Sequence, residues 1–392
     1  MPKNLLHRAI ARRVALRLVH LKRHRPIEIP IRFSNEAVRL PRNADTQLLG
    51  DPGKYSLRFY ERRTVSIFGK SLLPDYRKLG HATLGGFIGT GSNATVTRKI
   101  DSVQNGDVSK AVGGWISGWL GTLPEDFSPT IQTIEIESSD EWLLPCWLQM
   151  NQPAHGTGAG VWVIHVHGRG ASPAETARNF KHFAALGFNN LAVTYRNDGH
   201  AKLRGVTKRQ ALGLGTTEWV DLESAVAYAK FHGANKILVF AWSYGAAIST
   251  QFARHSKLAH VVSAYIFDSP LISWRATLRF QVKLASAPES WAELGESFLR
   301  NNKSASSIGL AKAIDFGDFE IETLAKHFAA PTLLLHSVDD GYIPIEPCRE
   351  LSDALPDTVT LKEFQQARHC KIYNFNQVEY FEAIDLFLGA RF

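Results

Sequence analysis

From about residue 128 onward the chain alternates two hydrophobic patterns. Short continuous apolar runs such as Val161 to Val166 give way to glycine-containing turns, then to stretches whose apolar positions recur three and four residues apart. Runs of the first kind read as buried parallel strands, and stretches of the second as helices covering them. Thr130 to Ile136 and Trp142 to Leu148 flank the turn-like Ser138-Ser139-Asp140 and predict an antiparallel opening hairpin. Further strands are predicted at Val161 to Val166, Asn190 to Tyr195, Lys236 to Phe240, Val261 to Phe267, Pro331 to His336 and Thr358 to Phe364. Helices are predicted at Pro173 to Leu186, at about Thr217 to His232, directly after Ser243, and from about Gln377 to Leu388. The pattern predicts an α/β fold, a mostly parallel eight-stranded sheet with helices on both faces. Two connections are too long for simple links, Arg196 to Thr216 and Leu271 to Ala330. The second is helical in pattern and is the candidate for a small cap over residues 271–330.

The N-terminal third has no such rhythm. Residues 26–127 carry short basic, aromatic and glycine-rich stretches and are expected to form an extension of mixed structure packed on the core, with residues 128–392 as the catalytic domain. Gly89-Thr90-Gly91-Ser92-Asn93-Ala94 fits the dinucleotide fingerprint nominally, but no helical pattern follows, so a plain glycine loop is expected there. Residues 1–25 form a separate arm whose Leu6, Ile10, Val14, Leu18 and Leu21 follow helical spacing, with Arg13 and Arg17 projecting near that stripe.

Charge sharpens the reading of this arm. Lys3, Arg8, Arg12, Arg13, Arg17, Lys22, Arg23 and Arg25 account for the whole formal charge of +8, and no acidic residue precedes Glu28. The basicity is therefore local rather than the footprint of a nucleic-acid-binding fold, and no aromatic residues interleave it. Nucleic acid is not an expected partner. The apolar runs of the arm are far too short for a secretory signal or a membrane span. A surface helix or solvated tail is the plainer expectation, and peripheral membrane contact through residues 1–25 is the alternative. A hydrophobic fraction of 44% and a charged fraction of 21% fit a folded, water-soluble body. Cys146, Cys348 and Cys370 lie far apart with no metal-type spacing. They read as reduced thiols in a cytoplasmic setting, with no metal or cofactor expected.

The chemistry concentrates at one turn and two late loops. Ala241-Trp242-Ser243-Tyr244-Gly245 lies between an apolar strand and an apolar helix, the setting in which a serine hydroxyl is presented to a base while backbone N–H groups face a developing oxyanion. Ala241 stands where glycine is usual. A serine that merely caps a helix is the bland alternative. His336-Ser337-Val338-Asp339-Asp340 ends a later strand with two aspartates, and Gln366-Ala367-Arg368-His369 supplies a histidine after the next. Ser243 as nucleophile, Asp340 as orienting acid and His369 as base stand in the order serine, acid, histidine. Asp268, which also ends a strand, and Asp339 are the competing acids. Gly168 and Gly170, in His167-Gly168-Arg169-Gly170, form a loop able to aim free amides at the site, with Trp242 and Gly245 supporting the turn.

On these motifs the segment from about 128 to 390 resembles bacterial α/β-hydrolase family proteins. The resemblance selects Asp340, four residues after His336, as the acid, with Ser337 and Ile343 as mild departures and Arg368 where glycine usually precedes the histidine. It implies that the N–H groups of Arg169 and Tyr244 make the oxyanion hole. His167 is read as structural, and the Arg169 side chain as either an attractor of an anionic substrate group or a salt-bridge partner of Glu175. The implied activity is a serine hydrolase acting on a carboxylic ester of a small molecule through an acyl-enzyme. The alternatives are a peptidase or acyl-aminoacyl hydrolase, an acyltransferase, or a binding protein on a catalytically silent hydrolase fold.

Overall fold

The computed structural model describes residues 3–20, 32–34, 37–41, 53–65, 71–91, 95–151, 160–206, 211–389 and 391–392. Among these, the predicted sheet is present with nine strands. Gln132–Glu137 and Trp142–Gln149 form the antiparallel opening hairpin, and Trp142–Gln149 then pairs antiparallel with Asn189–Val193. From there the strands run parallel in the order Asn189–Val193, Val161–Val166, Lys236–Trp242, Val262–Asp268, Thr332–Ser337 and Val359–Phe364. Val161–Val166 is buried at every position, as a strand covered on both faces must be, which is why it reads as an unbroken apolar run. The ninth strand, Lys202–Leu203, lies in the long Arg196 to Thr216 connection and pairs with Trp142 and Leu143.

Helices cover both faces. Trp219–Phe231 and Tyr244–His255 bury their apolar sides in a cluster with Ile164, Val239 and Phe267, while Gln377–Gly389 closes the opposite face against Val163, Leu238 and Leu335. The predicted helix from Pro173 is broken into Pro173–Thr176, a tight turn at Ala177–Asn179 and Phe180–Ala185. The Leu271 to Ala330 connection holds Trp274–Leu284, Ser290–Arg300 and Asn302–Ser306, followed by two shorter turns.

The N-terminal third is β-rich rather than mixed. Its described strands form a six-stranded antiparallel sheet around a core of Tyr55, Leu57, Phe59, Ala82, Leu84 and Ile116. Ser71–Gly91 is 21 residues long and pairs with Thr95–Asn105 through repeated register shifts, which scramble the alternation a sequence reading looks for. Gly91 pairs with Thr95, so Gly89–Gly91 ends a strand of an antiparallel pair; residues 92–94 lie outside the described residues. The sheet meets the core at Ile372–Phe375, where Asn374 donates to Lys54 O at 2.9 Å and Gly118 O at 3.1 Å.

The arm is a docked surface helix, Lys3–Val19, rather than a solvated tail, the first of the two forms expected; residues 21–25 lie outside the described residues. Ala11, Ala15 and Val19 are buried against the core cluster, whereas Leu6, predicted in the apolar stripe, is 54% exposed. Small residues hold the buried positions, with Val14, Leu16 and Leu18 packed beside them. A Cβ on Gly295 of Ser290–Arg300 would lie 2.4 Å from Val14 Cγ1, so the two helices approach as closely as they do because residue 295 has no side chain.

Candidate active site

Ser243 sits at the junction of the strand Lys236–Trp242 and the helix Tyr244–His255 with φ 50° and ψ −113°. A positive φ at a non-glycine residue costs on the order of 1–3 kcal/mol and persists only where neighbours over-determine it. Here its N–H donates to Asp268 O at 3.0 Å, and its carbonyl accepts from Leu271 N and Ala246 N, both at 3.0 Å. Gly245 is required by close approach: a Cβ there would lie 2.4 Å from Val166 O and 3.0 Å from His167 O, both backbone atoms. Ala241 meets no such limit, being paired in register between Val166 and Phe267. Gly245→Ala is therefore expected to cost about 3 kcal/mol, read as a lowered Tm with the turn displaced. Unchanged thermal unfolding would refute the close approach.

Three predicted residues come together. His369 Nε2 lies 3.0 Å from Ser243 Oγ, and His369 Nδ1 lies 2.7 Å from Asp340 Oδ2. Asp340 Oδ1 accepts from the amides of Tyr342 at 2.7 Å and Ile343 at 3.0 Å. Burial opposes the Asp340 charge, but His369 and these donors outweigh it and hold the carboxyl below the usual carboxylate range. His336 Nε2 is 3.5 Å from Asp340 Oδ2, and burial lowers the pKa of this imidazole. Ser243 is 8% exposed, and the Tyr342 ring stands 5.3 Å from the His369 ring.

The competing aspartates do other work. Asp339 Oδ1 accepts from Ala367 N at 3.0 Å and Arg368 N at 2.9 Å, fixing the loop that carries the histidine. Arg368 takes φ 60°, the conformation for which glycine is the usual residue, and its guanidinium holds the turn by donating to Asp339 O at 3.0 Å. Asp268 is fully buried and faces Arg178 Nη2 at 3.8 Å. Burial pushes its carboxyl up, against the pull of Arg178. Its Oδ1 accepts from Ser269 Oγ at 2.9 Å, and Ser269 Oγ in turn accepts from Cys370 N at 2.9 Å. Arg178 Nη1 donates to Cys370 O at 3.0 Å. The residue after His369 is thus gripped at both its amide and its carbonyl.

The glycine loop is pinned with equal care. Gly168 N donates to Glu175 Oε2 at 2.7 Å, and Gly168 O accepts from Tyr195 Oη at 2.9 Å. His167 is structural, as expected: it is buried, stacked on Tyr195, and 3.2 Å from Asp198 Oδ2. Gly170 completes the loop with φ 72°. Glu175 is occupied by Gly168 N and by Trp119 Nε1, and the Arg169 guanidinium donates instead to Arg17 O at 2.8 Å and His20 O at 2.9 Å. The expected Arg169–Glu175 salt bridge is therefore not formed. Among the described residues, the amides of Arg169 and Tyr244 donate to no protein acceptor, and the latter opens the helix Tyr244–His255, where the backbone dipole favours negative charge. Trp242 is fully buried beneath the turn and stacks on Phe240. No group of three or more His, Cys, Asp or Glu side chains among the described residues is placed to hold a metal ion.

Arg178 and Ser269 were not legible as site residues, because each acts on a loop distant in sequence, and Glu175, seven residues from Gly168, carries no motif that marks it. The only local sign was an acidic residue in the first turn after the glycine loop.

Residues 163–374, more than half of the chain, match the alpha/beta hydrolase family. Two crystal forms of an esterase from Pyrococcus furiosus superpose with TM-scores of 0.51 and 0.52 at 20% identity, covering 69% of this chain and 96% and 95% of their own. An esterase from Rhodococcus superposes with a TM-score of 0.45 at 13% identity, over 67% of this chain and 100% of its own. At these identities the likeness is one of fold. No curated protein sequence matches the chain.

Proposed function

Because this chain belongs to the alpha/beta hydrolase family, we propose that it is a serine hydrolase that cleaves a carboxylic ester through an acyl-enzyme on Ser243. The observation that carries the reading is the continuous hydrogen-bonded chain from Ser243 Oγ through both nitrogens of His369 to Asp340. In this reading His369 Nε2 takes the Oγ proton as Oγ attacks the ester carbonyl carbon. The oxyanion that forms is received by the free amides of Tyr244 and Arg169. When the tetrahedral species collapses, the carbonyl–alkoxy bond breaks and His369 returns the proton to the departing alcohol. Water then attacks the acyl-enzyme with His369 again as base, releasing the acid and restoring Ser243. Asp340 keeps the proton of the neutral imidazole on Nδ1 and stabilises the imidazolium formed in each step. The helix-end dipole behind Tyr244 and the pinned Gly168 loop hold the oxyanion donors in place before charge develops.

A fluorophosphonate probe tests the reading directly. Labelling of the intact protein at Ser243, absent in Ser243→Ala, is the expected outcome; labelling that persists in that variant, or none in the folded parent, overturns it. Faster turnover of aminoacyl anilides than of nitrophenyl esters would keep the nucleophile but move the substrate class to amides.

A further inference from the structure

The docked helix Lys3–Val19 presents an outward face that the fold itself leaves unused. With Ala11, Ala15 and Val19 turned into the core, Arg8, Arg12, Arg13 and Arg17 are all exposed, and none forms an ion pair among the described residues. At the start of the same helix Leu5 and Leu6 are 55% and 54% exposed side by side. No acidic side chain occurs on the helix to offset its charge. At about 100° per residue, Arg13, Arg17 and Leu6 share the side opposite Ala11, Ala15 and Val19, while Arg12 and Leu5 flank it and Arg8 lies toward the docked side. Arginines beside bare leucines match a surface that offers negative charge and an apolar layer beneath it. A phospholipid leaflet with anionic headgroups offers both. A polyanion such as nucleic acid meets the arginines but gives the leucines nothing to enter.

We propose that the outward face of helix Lys3–Val19 docks this protein on an anionic lipid surface, with Arg13 and Arg17 on the headgroups, Arg12 at their flank, and the exposed Leu5 and Leu6 inserted at the helix start. The helix is held firmly enough to carry that role. Leu212 N donates to Val19 O at 2.8 Å, His20 Nε2 lies 2.8 Å from Ile308 O, and Arg169 grips Arg17 O and His20 O. Through Arg169 the docked end of the helix adjoins the glycine loop of the candidate active site, so a bound leaflet would lie beside the mouth of that site. The docking stands whether or not the hydrolytic reading holds.

The test is co-sedimentation of the full chain with vesicles of phosphatidylcholine alone and with added phosphatidylglycerol. Binding is expected only to the anionic vesicles and is expected to weaken with salt. Each arginine near such a surface contributes roughly 1 kcal/mol, so Arg13→Gln with Arg17→Gln should weaken partitioning about thirtyfold. Leu5→Ser with Leu6→Ser should weaken it as well. Unchanged thermal unfolding and fluorophosphonate labelling would show that both variants remain folded. Absence of binding by the intact protein at low salt, or binding indifferent to the arginine pair, overturns the proposal. Full binding by the leucine variant overturns it too, because attachment by charge alone is not the insertion proposed.

Discussion

With Asp340 replaced by Asn, turnover of an activated ester is expected to fall on the order of ten-thousandfold, with little change in KM. The reason is the tautomer. Asp340 Oδ2 accepts at 2.7 Å from His369 Nδ1, which leaves Nε2 free to take the Ser243 proton. An amide NH2 in the same place would donate to Nδ1 and leave the proton on Nε2, the wrong nitrogen. Because Oδ1 is already bound by Tyr342 N and Ile343 N, the amide oxygen would occupy that position and point the NH2 at the histidine. Asp268→Asn provides the contrast. Its carboxylate reaches the histidine turn indirectly, through Ser269 Oγ and Arg178, so turnover should stay within about tenfold of the parent. A near-normal rate for Asp340→Asn, or a larger loss for Asp268→Asn, would reassign the orienting acid.

Arg178→Met is expected to produce the largest loss of stability, about 3–5 kcal/mol near neutral pH, because it leaves the Asp268 carboxyl buried without its counter-charge. The dependence on pH follows from the sign of the shift. Burial already raises the Asp268 pKa in the folded protein, and removing Arg178 removes the group that opposes this rise. The folded state then holds a proton that the unfolded chain releases near pH 4. The penalty should therefore develop as pH rises above about 4 and be small below it, where Asp268 is protonated in both states. What remains at acid pH is the loss of the hydrogen bonds from Arg178 to Gly118 O, Cys370 O and Asn374 Oδ1. Urea unfolding at pH 4 and pH 7 separates the two contributions. Adding Asp268→Asn to Arg178→Met should recover most of the neutral-pH loss, and equal losses at both pH values would show that the charge is not what matters.

These two residues also mark what the sequence made legible and what it hid. Ser243 could be found because its turn is local: five consecutive residues between a strand and a helix carry the whole signal. Asp340 and His369 could be found because each follows an apolar strand at the same edge of the sheet, so their order along the chain reflects their nearness in space. Arg178 gives no such sign, since its partners Gly118, Asp268 and Cys370 come from three separate stretches. The six-stranded sheet was hidden for a different reason. The register shifts along Ser71–Gly91 break the two-residue period on which strand recognition depends. The arm was legible as a helix and its face in part: Val14, which meets Gly295, and Leu18 lie in the predicted stripe and pack on the core, while Leu6 stands exposed. Leucines weigh most in any hydrophobic pattern, so the buried Ala11 and Ala15 were passed over.

The hold of Arg178 on Gly118 O, Cys370 O and Asn374 Oδ1 bears on how the molecule melts. One guanidinium group joins Gly118, beside the six-stranded N-terminal sheet, to the turn behind His369, and Asn374 repeats the tie through Lys54 O. Peeling the six-stranded sheet away would take Gly118 O from Arg178 and both acceptors, Lys54 O and Gly118 O, from the Asn374 side-chain amide. The two parts of the chain are thereby expected to unfold as one cooperative unit, in which the candidate site reports on the integrity of a sheet that contributes no side chain to its triad.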